Sequence, residues 1–156
     1  MKLIFKQRMF SWLSQYDIFN EAEETVYTVK GQLSWGHCFK IFDGQGQEIG
    51  MVKSRIWTWQ PIFDIYRRDT VVGTIRKEIS FWKPKYTIDF RGWQVEGNWT
   101  EWDYTIRDGQ GYEVARINKM LWKMTDTYVI DVVNAADALD ALLLVLAIDA
   151  EKASRD

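Results

Sequence analysis

Apolar and polar positions alternate with a period of two over most of this chain, the signature of strands with one buried face. In "KYTIDF", for example, Tyr86, Ile88 and Phe90 fall on one face and Thr87 and Asp89 on the other. Turn signals such as "DG", "RRD" and "RG" punctuate the runs. Together they predict strands near 2–9, 16–20, 25–30, 38–42, 48–55, 62–67, 71–77, 86–91, 93–97, 102–107, 112–118 and 127–133. After residue 134 the pattern changes. From Ala136 to Ala150 every residue is apolar except Asp137, Asp140 and Asp149. A helix apolar on all sides must be buried on all sides. Asn134 is placed to cap it, Asp137 and Asp140 lie where its dipole favours acids, and Lys152 and Arg155 lie near its C-terminal end.

About a dozen strands and one such helix predict a closed antiparallel barrel with the helix along its axis, because a barrel of that size is too wide to be filled by side chains alone. A helix laid on an open sandwich and a membrane-anchoring tail are the competing arrangements. The tail has only 8 uninterrupted apolar residues, Ala141 to Ile148, against the roughly 20 that span a bilayer.

An internal repeat supports the barrel. "IFDGQGQEIG" from Ile41 and "IRDGQGYEVA" from Ile106 open two 17-residue windows that share seven identities, the last pairing Trp57 with Trp122. A looser third copy begins at Gly73. It aligns Gly50, Gly73 and Ala115, then Val52, Ile75 and Ile117, then Ile56, Ile79 and Leu121. The even spacing from Val52 to Ile56 places both on one face of a strand. Asp opens turns and Gly accepts positive φ, so "DGQG" reads as a hairpin turn. A calcium loop would need oxygen ligands where Gly44 and Gly46 stand, and a dinucleotide loop would need a third glycine where Ile49 stands.

At 156 residues the chain is one domain, 1–156. Its near-neutral charge of −2 provides no field for nucleic acid. A single cysteine, Cys38, excludes an internal disulfide, and no stretch has signal-peptide form, so a reducing cytoplasm is the expected compartment. His37 and Cys38 are neighbours whose side chains leave a strand on opposite faces, so no metal site or Cys–His pair is expected, and no cofactor. Glu23 and Glu24 fall in a polar turn.

The opening "KLIFKQRMFSW", "YDIFNE", "VYTVKG", the two "DGQG" turns, "TYVIDV" and "LLLVLAID" together resemble the LURP-one-related or YxjI-like family over essentially the whole chain. That resemblance implies the tubby C-terminal-like fold, a twelve-stranded barrel around a central C-terminal helix. It also implies kinship with phosphoinositide-binding tubby-like proteins and with phospholipid scramblases, and it brings no catalytic motif.

The sequence therefore suggests a binding module rather than an enzyme, peripheral at anionic membranes and not transmembrane. Between Arg67 and Arg91 the cations Arg67, Arg68, Arg76, Lys77, Lys83, Lys85 and Arg91 exceed the acids by four, with Phe81 and Trp82 among them. These seven are the candidate lipid contacts. An unidentified protein bound through aromatic barrel ends is the alternative, with Trp35, Trp57, Trp59, Trp93, Trp99 and Trp102 at strand ends or short connections. An enzyme using surface carboxylates is a remote third.

Overall fold

The computed structural model describes residues 1–6, 15–78, 85–120 and 127–154. Its first strands are β1 (Lys2–Phe5), β2 (Gln15–Phe19), β3 (Thr25–Ser34), β4 (Gly36–Asp43), β5 (Glu48–Ser54) and β6 (Ile62–Arg67). They continue through β7 (Thr70–Glu78), β8 (Lys85–Asp89), β9 (Gln94–Asn98), β10 (Asp103–Arg107), β11 (Glu113–Met120) and β12 (Thr127–Val132). A 3₁₀ turn at Ala135–Asp137 then leads into the helix α1 (Ala138–Ala153).

Each strand pairs antiparallel with its neighbour in sequence except β8 with β9, and β1 pairs with β12, with Leu3 opposite Ile130. The sheet order is thus β8-β7-β6-β5-β4-β3-β2-β1-β12-β11-β10-β9, an up-and-down meander curled almost into a closed barrel. The one open seam lies between β8 and β9. A tight turn joins them, the Trp93 N–H donating to the Phe90 carbonyl at 3.0 Å, but the ladder goes no further. Aromatic rings fill the seam instead: Tyr86 and Trp99 stack at 4.5 Å, and Trp99 and Tyr104 at 6.1 Å.

The repeat is architectural. In both copies the aspartate carboxylate, Asp43 or Asp108, accepts two backbone N–H bonds at 2.9 Å, from Gln45 and Gln47 or from Gln110 and Tyr112. Gly46 and Gly111 sit at φ +80° and +88°, where a Cβ would be strained. Both copies also shift register just before the turn, at Ile41/Phe42 and at Ile106/Arg107. Val52, Ile75 and Ile117 are fully buried, as their shared place in the repeat predicts. Ile56 is a correction. β5 ends at Ser54, so Ile56 leaves the strand and is 47% exposed. Ile79 and Leu121 lie outside the described residues.

Every residue of α1 from Asp140 to Glu151 is buried, and the helix packs against β5, β6, β7 and β12. Asn134 caps the leading turn, its side chain accepting from the Ala136 N–H at 3.0 Å. The small residues of the repeat make room for the interior. A Cβ at Gly50 would lie 3.0 Å from Leu143 Cδ2, the movable end of a helix side chain. A Cβ at Gly73 would lie 2.6 Å from Phe90 Cδ2 and 2.7 Å from the Asp89 carbonyl oxygen, which is backbone. Gly73→Ala is therefore expected to cost about 1–3 kcal/mol, read as a lower urea midpoint, and Gly50→Ala clearly less.

Candidate functional site

In a meander barrel alternate joins lie at the same end, so the chain order divides the loops into two sets. The joins after β2, β4, β6, β8, β10 and β12 share one end. They carry Glu21, Glu23, Glu24, Asp69, Asp108 and Asp137, six acids, against Arg68 and Arg91. At the other end the described joins, at Trp35, at 55–61 and at 99–102, carry five tryptophans, with Arg55 and Glu101 as their only charges. The helix runs from the acidic end to the tryptophan end.

The predicted cations divide between these ends. Arg67 and Arg91 reach the N-terminal turn of α1, where both bond to Asp140, Arg91 at 2.9 Å; Arg91 also bonds to Asp137 at 2.6 Å. Asp140 is 1% exposed, so these arginines neutralise a carboxylate buried at the mouth of the barrel. Arg91 also lies over the Trp93 ring at 4.5 Å. Arg68, in the β6–β7 turn, belongs to the same acidic end. Arg76, Lys77 and Lys85 lie towards the tryptophan end, where Lys77 is half-buried and Lys85 sits 3.5 Å from Glu78. Lys83, with Phe81 and Trp82, lies outside the described residues. The six described cations therefore do not form one patch.

Another grouping replaces it. Arg55 and Arg76 border a shallow depression of about 440 Å³ on the outside of the barrel, lined also by Ile62, Thr74, Thr87 and Asp89. Asp64 holds Arg55 through two bonds of 2.9 Å and accepts from Thr74 at 3.0 Å. Arg76 is exposed and makes no ion pair among the described residues. The Arg55 N–H donates to the Ile62 carbonyl at 2.8 Å, closing the base of the 55–61 loop. That loop carries Trp57 and Trp59, which are 93% and 105% exposed. The β3–β4 turn stands beside it, with the His37 N–H bonded to Ser54 Oγ at 2.7 Å, and presents Trp35 at 82% exposure.

Trp93, Trp99 and Trp102, the other three of the six candidates, have structural roles. Trp99 and Trp102 are half-buried over the C-terminal end of α1. Lys152 Nζ donates to the Trp99 carbonyl at 2.7 Å and lies 5.2 Å from the centre of the Trp102 ring. Trp93 is 4% exposed and meets Phe90 edge-on at 5.6 Å at the other end. A groove of about 420 Å³ follows the seam between β8 and β9, where the inward-facing Ile88 and Val95 are only half-buried.

Titratable groups gather where the helix ends. Asp149 is 1% exposed and neither carboxylate oxygen finds a hydrogen-bond partner among the described residues; burial holds its pKa well above the carboxylate range, while Lys152 pulls it back down. Burial and then Asp149 push up the buried phenols of Tyr16 and Tyr104. On β4, burial raises the Cys38 thiol and lowers His37. Glu24 is tied to Asn20, whose amide donates to it at 2.8 Å. No group of three or more His, Cys, Asp or Glu side chains placed to hold a metal occurs among the described residues.

Sequence reasoning named the six tryptophans but not their division into three closing residues and three projecting ones. Strand-to-strand parity could have placed the joins at common ends. The exposure of individual rings could not be read from it.

A model of the LURP-one-related family matches residues 1–149. The uncharacterized protein YxjI of Bacillus subtilis is 22% identical over 150 residues, covering 96% of this chain and 92% of its own. The crystal structure of an Arabidopsis thaliana protein, 15% identical, superposes with a TM-score of 0.61 over 95% of this chain and 90% of that one, the same fold. With the family match spanning nearly every residue, this barrel and its enclosed helix belong to a member of the LURP-one-related family.

Proposed function

We propose that the protein is a non-enzymatic binding module that docks peripherally on anionic membrane surfaces with its tryptophan end. The observation that carries this reading is the polarity of the barrel. Six acidic loop residues gather at one end, while the exposed Arg76 and the Arg55 loop flank the other. An anionic surface repels the first end and admits the second. The depression offers the exposed Arg76 cation and polar atoms to a headgroup, while Arg55 beside it is already paired with Asp64 and Asp89 on its margin limits how much negative charge it takes. The kinship with tubby-like proteins implied by the sequence resemblance points the same way. Among the described residues no helix is long and apolar enough to cross a membrane, in keeping with docking at the surface.

The test is co-sedimentation with phosphatidylcholine vesicles against vesicles rich in phosphatidylserine or containing phosphoinositide, at low and physiological salt. A cation near such a surface contributes about 1 kcal/mol, so Arg76→Glu with Lys85→Glu is expected to weaken binding tenfold or more. Added salt should weaken the wild type, because the screening length shortens to about 8 Å. Binding that ignores salt and survives the double charge reversal would sink the reading. The exposed indoles favour one rival, an adaptor that holds a protein partner at the same end, in which case no vesicle should be bound at all.

A further inference from the structure

We propose that Trp35 and the Ile56–Trp59 stretch form a wedge that inserts into the interfacial layer of a phospholipid bilayer. The inference deepens the membrane reading above by adding apolar insertion to electrostatic docking. Trp35, Trp57 and Trp59 are 82%, 93% and 105% exposed, and Ile56 is 47% exposed. All four sit at the ends of neighbouring hairpins: a Cβ built on Gly36 would lie 3.4 Å from Ile56 Cγ2.

Nothing in the fold requires these rings, since Trp99 and Trp102 already cover the end of the helix. Trp57 is moreover held at φ +61°, a left-handed conformation that disfavours a side chain and that its exposed ring does not repay by packing. An indole has an apolar body and one N–H donor, the combination that settles at the headgroup boundary. Neither hairpin end carries an acid: Arg55 is the only charge at Trp35 or from 55 to 61. A bilayer fits better than a protein groove because the rings project separately into solvent. A fluid interface takes such rings without matching pockets, whereas a protein partner must be shaped around each one.

The experiment uses the full chain with neutral phosphatidylcholine vesicles in about 1 M salt, where the screening length is about 3 Å and electrostatic docking is suppressed. Partition is read by co-sedimentation, and insertion by quenching of tryptophan emission with phosphatidylcholine brominated near the headgroup. The variant Trp57→Gly with Trp59→Ser relaxes the left-handed backbone and is expected to melt as the wild type does. Wild-type binding with quenching, and at least a tenfold weaker partition for the double variant, is the expected result. Equal partition of the two proteins would overturn the wedge and leave the anionic reading standing. Wild-type binding confined to anionic vesicles at low salt would do the same. Failure to bind any vesicle would overturn both.

Discussion

Leu143→Asp is expected to abolish the fold. Leu143 is fully buried midway along a helix whose neighbours from Asp140 to Glu151 are all buried, and it reaches towards Gly50 on the barrel wall. Truncation to alanine would already cost about 2–5 kcal/mol from lost contacts and a residual cavity. An aspartate there must either ionise with no partner and no water or keep its proton with its polar atoms unsatisfied, and that penalty added to the lost leucine packing is comparable with the roughly 5–15 kcal/mol by which a domain of this size is stable. Circular dichroism should show loss of the cooperative melt, with Leu143→Met as the tolerated control. A cooperative melt at wild-type temperature for the aspartate variant would mean that the helix does not lie inside the barrel.

Asp149→Leu should have the opposite sign. Both carboxylate oxygens of Asp149 are buried without a hydrogen-bond partner among the described residues, and burial keeps its pKa well above the usual range. In the unfolded chain an aspartate loses its proton near pH 3.9; in the barrel Asp149 keeps it to higher pH. Its contribution to stability is therefore fully present below that pH and is lost as pH rises to and through the raised folded value. Leucine has the branching of aspartate without its polar atoms, so the variant is expected to gain about 1–3 kcal/mol at neutral pH. The gain should shrink towards pH 4. Urea midpoints measured from pH 4 to pH 8 for both proteins decide it: parallel curves would mean that Asp149 is ionised and satisfied in the folded state.

Most of the architecture was legible in the chain because its signals are local. Strand alternation, the Asp–Gly turns and the apolar C-terminal run each depend on neighbours a few residues apart, and the predicted strands agree with the observed ones to within a few residues, except that 7–9 of the first lie outside the described residues. Ile56 misled for the same reason: its even spacing from Val52 would place it inward only if β5 continued, and the strand stops at Ser54. The candidate site was less legible. A basic excess counted along the chain from 67 to 91 ignores that this stretch crosses the barrel twice. Arg67 and Arg91 are then drawn to Asp140, 73 and 49 residues away.

By itself, then, the sequence determined the number and order of the strands, the paired turns, the burial of the helix and the family. The strands, the turns and the helix follow from periodicity and local composition, which survive when the chain is read as a line; the family follows from a resemblance carried by particular stretches such as "KLIFKQRMFSW" and "LLLVLAID". Only the tertiary structure decided which cations are occupied by the helix, that β8 and β9 stay unzipped around stacked rings, and that acidic loops and exposed tryptophans face opposite ways. Those properties depend on which distant residues meet when the meander curls, and long-range pairing of that kind leaves no period in the chain.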